Sequence, residues 1–151
     1  MKLSILDQSV AIANKCQDQV INDTLNLSIM AEEFGYSRFW ISEHHNHPTI
    51  IGTAPEILMA AIAAKTNKIR IGSAGIMLPH YSPFKVAEQF RVLNSLAPNR
   101  IDLGLGRAPG SDGRTALALN SNNREFSENF PSHVRDLIAW VTNGDLLEGH
   151  P

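Results

Sequence analysis

Apolar, strand-like runs alternate with amphipathic helical segments about four times along this chain of 151 residues. Leu3 to Leu6 reads as a strand. Val20, Thr24, Leu27, Ala31 and Phe34 then recur at helical spacing, with Gly35 where a C-terminal cap belongs. Ser37 to Ile41, rich in aromatic and β-branched residues, reads as a second strand. Thr53-Ala-Pro-Glu56 has the form of a capping box and opens a helix through Ile57, Leu58, Ala61 and Ile62 to about Lys65. Lys68 to Gly72 is a third strand. Ser82-Pro83 supplies an N-cap and a first-turn proline for a helix whose buried stripe is Val86, Ala87, Phe90, Leu93 and Ala97. Pro98-Asn99 ends it, and a fourth strand starts at Arg100. A last helix is expected from Glu128 to Val141, with Phe130, Val134, Leu137, Ile138 and Val141 on one side and Asn143-Gly144 as its stop.

This alternation implies parallel strands joined by right-handed crossovers. Two α/β architectures satisfy it: a doubly wound open sheet, or a (β/α)₈ barrel. A complete barrel takes roughly 250 residues, and the polar tail from Asn143 to Pro151 brings no further strand. The chain therefore reads as a single domain over residues 1–151, built of parallel (β/α) units that form the first half of a TIM-type barrel, with the C-terminal half absent. A fragment, a truncated product and a chain that pairs with a second copy all satisfy that reading. With 43% hydrophobic residues the chain can bury a core. A net charge of -2 and scattered lysines and arginines give no support to a nucleic-acid or anionic-membrane partner. Cys16 is alone, and no apolar run suits a signal peptide or a bilayer span, so a reducing, cytoplasmic location is expected.

The residues able to do chemistry gather where strands end, which is where parallel α/β proteins bind ligands. The second strand runs into Ser42-Glu43-His44-His45-Asn46-His47. Three readings of it compete: a metal site using His44, His45 and His47; histidines bonded only to loop backbone; and an acid/base or hydrogen-bond donor. Adjacent His44 and His45 diverge on an extended chain, and His80, His133 and His150 are isolated in sequence, which weighs against a metal. The third strand places Arg70, Gly72 and Ala74 on one face, and Gly75 follows. The fourth places Asp102, Gly104 and Gly106 opposite Ile101, Leu103 and Leu105, then delivers Arg107. Small residues at two strand ends would clear a slot for a planar ring, and Arg107 suits an anionic group such as phosphate. Alternatively, the glycines ease tight turns or close packing. Gly104-x-Gly106 is not a dinucleotide fingerprint, because Pro109 stands where the third glycine belongs.

Trp40-Ile-Ser-Glu-His-His-Asn46, Ile71-Gly-Ser-Ala-Gly-Ile-Met-Leu-Pro79, Ala87-Glu-Gln-Phe90 and Asn99-Arg-Ile-Asp-Leu-Gly-Leu-Gly-Arg-Ala-Pro-Gly110 occur in this order. Together they resemble the N-terminal half of the bacterial luciferase-like flavin-dependent monooxygenases, in the branch similar to alkanal monooxygenase. The similarity runs from about residue 3 to about 141. It implies a (β/α)₈ barrel in which reduced FMN, supplied by a separate flavin reductase, and dioxygen oxidise an aldehyde or a similar small organic substrate. It implies His44 as the catalytic histidine, with His45 and Glu43 beside it. Joined with the slot reading, it makes Gly72, Ser73, Ala74, Gly75, Gly104, Gly106 and Arg107 cofactor-binding, with a non-prolyl cis peptide at Ala74–Gly75 and Arg107 on the flavin phosphate. No metal is expected. Apart from the resemblance, a homodimer is a further candidate partner, since a second copy could supply what the half-barrel lacks. A non-catalytic flavin-binding half-barrel or subunit is the alternative, followed by a deazaflavin-dependent oxidoreductase and a metal-dependent hydrolase. Relatives complete the phosphate site with later strands, so these residues alone are expected to hold flavin weakly and to have little activity.

Overall fold

A computed structural model describes residues 1–13 and 15–144. Its elements run β1 (Ser4–Asp7), α1 (Gln17–Glu33), β2 (Arg38–Ile41), α2 (Pro55–Lys65), β3 (Arg70–Ser73), β4 (Ile76–Met77), α3 (Pro83–Leu96), β5 (Ile101–Asp102), β6 (Leu105–Gly106), α4 (Gly113–Leu119), α5 (Asn123–Glu128) and α6 (Phe130–Thr142). A 3₁₀ turn over Leu78–His80 precedes α3. Four strands pair in parallel in the order β1-β2-β3-β5, and β4 pairs in parallel with β6.

Residue alternation separates two faces. Phe39, Ile41 and Ile71 are fully buried and join one core with Leu25 and Ala31 of α1, Met59 and Ile62 of α2, Val86 and Phe90 of α3, and Leu137 of α6. The helices thus share one side of the sheet while strand order follows chain order. That is the single winding of a barrel, and it excludes the doubly wound sheet. The opposite, inner face carries Arg38, Trp40, Arg70 and Asp102. Asp102 accepts from Arg38 Nε at 3.1 Å, from Trp40 Nε1 at 3.2 Å and from the Arg70 guanidinium. Burial pushes the Asp102 carboxyl up, but Arg70, Trp40 and Arg38 outweigh it and hold the group below the usual carboxylate range.

Several local expectations change. The α2 helix begins at Pro55, with Ala54 as its cap residue at φ -135° and no side-chain cap. Proline disfavours a helical residue before it, so Ala54 is expelled from the helix and the Thr53–Glu56 box does not form. In α1 the buried stripe is Val20, Thr24, Leu25, Ser28 and Ala31; Leu27 and Phe34 face outward. Gly35 does take the left-handed cap conformation, at φ +78°. Ser82 caps α3 as its sequence suggests, accepting from the Lys85 amide. The fourth strand is not continuous. Ser73 Oγ accepts from the Gly104 amide at 3.1 Å and donates to the Gly104 carbonyl at 2.9 Å, so a side chain holds the Gly104 N–H in place of a strand backbone, while the carbonyl is shared with the Ile76 amide. Pairing resumes at β4 and β6. The short helices α4 and α5 were not foreseen. In α6, Ile138 is exposed, while Asp136 and Ala139 are buried. Asn143 ends the helix in the left-handed conformation. The expectations for the tail beyond Gly144 and for His150 lie outside the described residues. Among the described residues, no helix is long and apolar enough to cross a membrane.

Candidate functional site

Because β2, β3 and β6 point the same way, the segments that follow them meet at one rim. Hydrogen bonds stitch them there. The Ala74 amide donates to the Ile41 carbonyl at 2.7 Å, the Ile76 amide to the Gly104 carbonyl at 2.8 Å, and the His45 amide to the Gly110 carbonyl at 3.0 Å. The rim therefore brings together Glu43, His44 and His45, then Ser73, Ala74 and Gly75, then Gly104, Gly106 and Arg107. The Ala74–Gly75 peptide bond is cis.

The glycines make close approaches of different kinds. A Cβ on Gly104 would lie 2.3 Å from the Ser73 carbonyl oxygen, and one on Gly75 would lie 2.8 Å from Gly104 backbone. Both positions serve backbone-to-backbone packing of the two rim segments. Gly72 differs from the flat slot expected of it: its missing side chain makes room for the Trp40 indole, 2.7 Å from where a Cβ would stand. Gly106 is likewise covered by the Met77 thioether, at 2.8 Å. The alternation of small residues was legible, but the cross-strand neighbour that fills the space was not.

At the centre of the rim lies Glu43, with no exposed surface. Its Oε1 meets the Tyr81 hydroxyl and His45 Nε2, each at 2.6 Å, and its Oε2 accepts from the Met77 amide at 2.9 Å. Burial, then the hydrogen bond and charge of Glu43, push the Tyr81 hydroxyl far above the ordinary tyrosine range. Glu56, on α2, is also raised, first by burial and then by the Glu43 charge, with His45 pulling the other way. His80 proves not to be isolated. Its ring stands edge-on to His45, with centroids 5.6 Å apart, and Nε2 meets the Pro109 carbonyl at 2.7 Å. His44 is half-buried, and its Nδ1 is buried without a hydrogen-bond partner. His47 turns away from the cluster and accepts from the Thr49 amide at 3.2 Å. Among the described residues no three His, Cys, Asp or Glu side chains are placed to hold a metal ion.

Arg107 is exposed and donates through Nε to the Ser127 carbonyl at 3.1 Å, leaving both Nη groups without a protein partner among the described residues. It borders a cleft of about 410 Å³ with Pro79, Pro109, Asn123 and Ser127. Asp112 caps α4 by accepting from the amides of Arg114 and Thr115, and Asn46 donates to the Thr115 hydroxyl at 3.0 Å, so α4 is anchored to the histidine loop. Sequence reasoning missed Tyr81, Met77, His80 and this cap. Only the cap had a local signal, an Asp immediately before Gly113-Arg-Thr.

Comparison with known proteins places these features in context. The family model described as luciferase-like monooxygenase matches residues 1–129. N-acetyl-S-alkylcysteine monooxygenase of Bacillus subtilis is 46% identical over 150 residues, which cover 99% of this chain and 45% of that protein. The crystal structure of apo-MsnO8 superposes with a TM-score of 0.89 at 39% identity, over 99% of this chain and 44% of that one. The oxygenating constituent of 3,6-diketocamphane monooxygenase from Pseudomonas putida, in complex with FMN, shares the fold with a TM-score of 0.75 at 22% identity, over 91% of this chain and 37% of that one. The chain thus spans less than half the length of these proteins and corresponds to part of their TIM-type barrels. On the family match and the identity to its relatives, the chain belongs to the luciferase-like monooxygenases.

Proposed function

We propose that this rim is the flavin end of an FMN-dependent monooxygenase acting on an aldehyde or similar small organic substrate, and that the chain carries the N-terminal part of that site. The observation behind the reading is the meeting, at one rim, of the His44–His45 pair, the Ala74–Gly75 backbone and Arg107. The residues suit the cofactor: the free Nη groups of Arg107 can take a phosphate, and the bare Nδ1 of His44 offers an unused polar contact. Bound reduced FMN would supply the electrons with which dioxygen is activated. Arg107 would hold its phosphate, and Ser73, Ala74, Gly75 and Gly104 would shape the surface beside its ring. His44 is the candidate proton donor or acceptor, with His45 and Glu43 behind it. A separate flavin reductase, dioxygen, a small-molecule substrate and a second copy of the chain are the proposed partners, and the cytoplasm the proposed location.

Flavin fluorescence titration tests this directly. FMN should bind weakly to these residues, with Kd above a micromolar, yet more tightly than riboflavin. Arg107→Gln should erase that preference, worth about tenfold or about 1.4 kcal/mol for one charge-assisted contact. Equal affinity for FMN and riboflavin, or an unaltered preference in Arg107→Gln, refutes the phosphate assignment.

A further inference from the structure

Glu43, itself without exposed surface, presents two oxygens to three donors. The Met77 amide has no choice but to donate, so Oε2 is committed. On Oε1, the Tyr81 hydroxyl and the His45 ring nitrogen converge at equal distances of 2.6 Å. A protonated carboxyl would oblige either the Tyr81 hydroxyl or the His45 nitrogen to accept in place of donating, whereas an ionised one satisfies all three as donors. An ionised Glu43 requires a hydrogen on His45 Nε2. Among the described residues no group bonds His45 Nδ1. His80 does not compete for the carboxylate, because the carbonyl of Pro109 claims its Nε2 hydrogen. Tyr81 stays protonated, and so remains a donor, across the neutral range.

We infer that Tyr81 is a positioning residue for His45: by sharing Oε1 it holds in place the Glu43 carboxylate, which itself fixes the His45 hydrogen on Nε2 and leaves Nδ1 as a bare acceptor. The ring of His45 is thereby oriented as a carboxylate orients a catalytic histidine elsewhere, with one nitrogen tethered and the other free to take a proton. Its functional meaning rests on the reading of residues 43–45 as the reactive segment, but the tautomer itself is independent of flavin.

Nitrogen-15 NMR of the histidine rings in the 151-residue chain tests the inference. Wild type should show His45 as the Nε2–H tautomer, with that hydrogen shifted downfield and protected from exchange. In Glu43→Gln the amide oxygen must face the Met77 N–H, which turns the NH₂ toward Tyr81 and His45. The Tyr81 hydroxyl can reverse its role, but His45 can accept only by moving its hydrogen to Nδ1, so the tautomer should invert. Tyr81→Phe should keep the Nε2–H tautomer but exchange that hydrogen at least about tenfold faster. An Nδ1–H tautomer in wild type, an Nε2–H tautomer in Glu43→Gln, or exchange within about twofold of wild type in Tyr81→Phe overturns the inference. If Glu43→Gln fails to fold, the wild-type tautomer and the Tyr81→Phe exchange rate still decide the inference. Failure of FMN to bind would remove the proposed function and leave every one of these results standing.

Discussion

Replacing Asp102 by Asn would remove the only carboxylate that the described structure places between Arg38 and Arg70 on the inner sheet face. Asp102 is 19% exposed at its side chain, and Arg38 and Arg70 are 37% and 38% exposed. A fully buried charged hydrogen bond is worth about 1.5–3 kcal/mol, but solvent reaching both guanidiniums lowers each ion pair to about 0.5–1 kcal/mol. The Trp40 N–H keeps an acceptor in Asn. Two screened pairs, plus the mutual repulsion of the guanidiniums left behind, come to about 2 kcal/mol. For a chain of this size that lowers Tm by about 4–8 °C, readable by circular dichroism or calorimetry. The pH dependence fixes the cause. Because the folded-state pKa of Asp102 is depressed, its contribution is fully present above the unfolded value of about 3.9 and is lost as pH falls through the folded value. The gap between wild type and Asp102→Asn should therefore hold steady above about pH 5 and close in stronger acid. Equal stability at pH 7, or a gap that persists at about pH 2, refutes the electrostatic account.

Gly104→Ala should cost about 3 kcal/mol, because its Cβ would stand 2.3 Å from the Ser73 carbonyl oxygen between two backbones that cannot part cheaply. Gly113→Ala, with nothing within 4 Å of the added carbon, should change the urea midpoint little or raise it slightly. Similar midpoints for the two variants would refute the close-packing reading. In the active enzyme, His44→Ala should slow turnover by about 10²-fold or more while leaving FMN affinity nearly unchanged. Unchanged turnover would remove His44 from the chemistry.

The period of apolar residues made the sheet and its main helices legible, since each needs only a local pattern. Parallel pairing follows from four strand–helix alternations, whereas single winding shows only in the folded strand order and the placement of the helices on one side. The rim was legible too: Glu43, His44, Ala74 and Arg107 each follow a readable strand end. What escaped depends on contacts across the chain. Nothing near Ser73 announces that its hydroxyl will interrupt a strand 31 residues away. Tyr81 sits beside an evident helix start, and only the folded loop brings it onto Glu43. Gly72 looked like an opening because its neighbour Trp40 comes from another strand. The Thr53 box failed for a local reason, as Pro55 fixes where the helix can begin.

The pairing of two arginines with one aspartate on the inner sheet face sets a rule for whatever closes over it. An identical copy laid face to face would gather four guanidiniums around two carboxylates, a surplus of two positive charges in a space that closure makes dry, where each unpaired ion costs several kcal/mol. Charge thus counts against a face-to-face twin on this side of the molecule. A surface that brings carboxylates would offset the surplus.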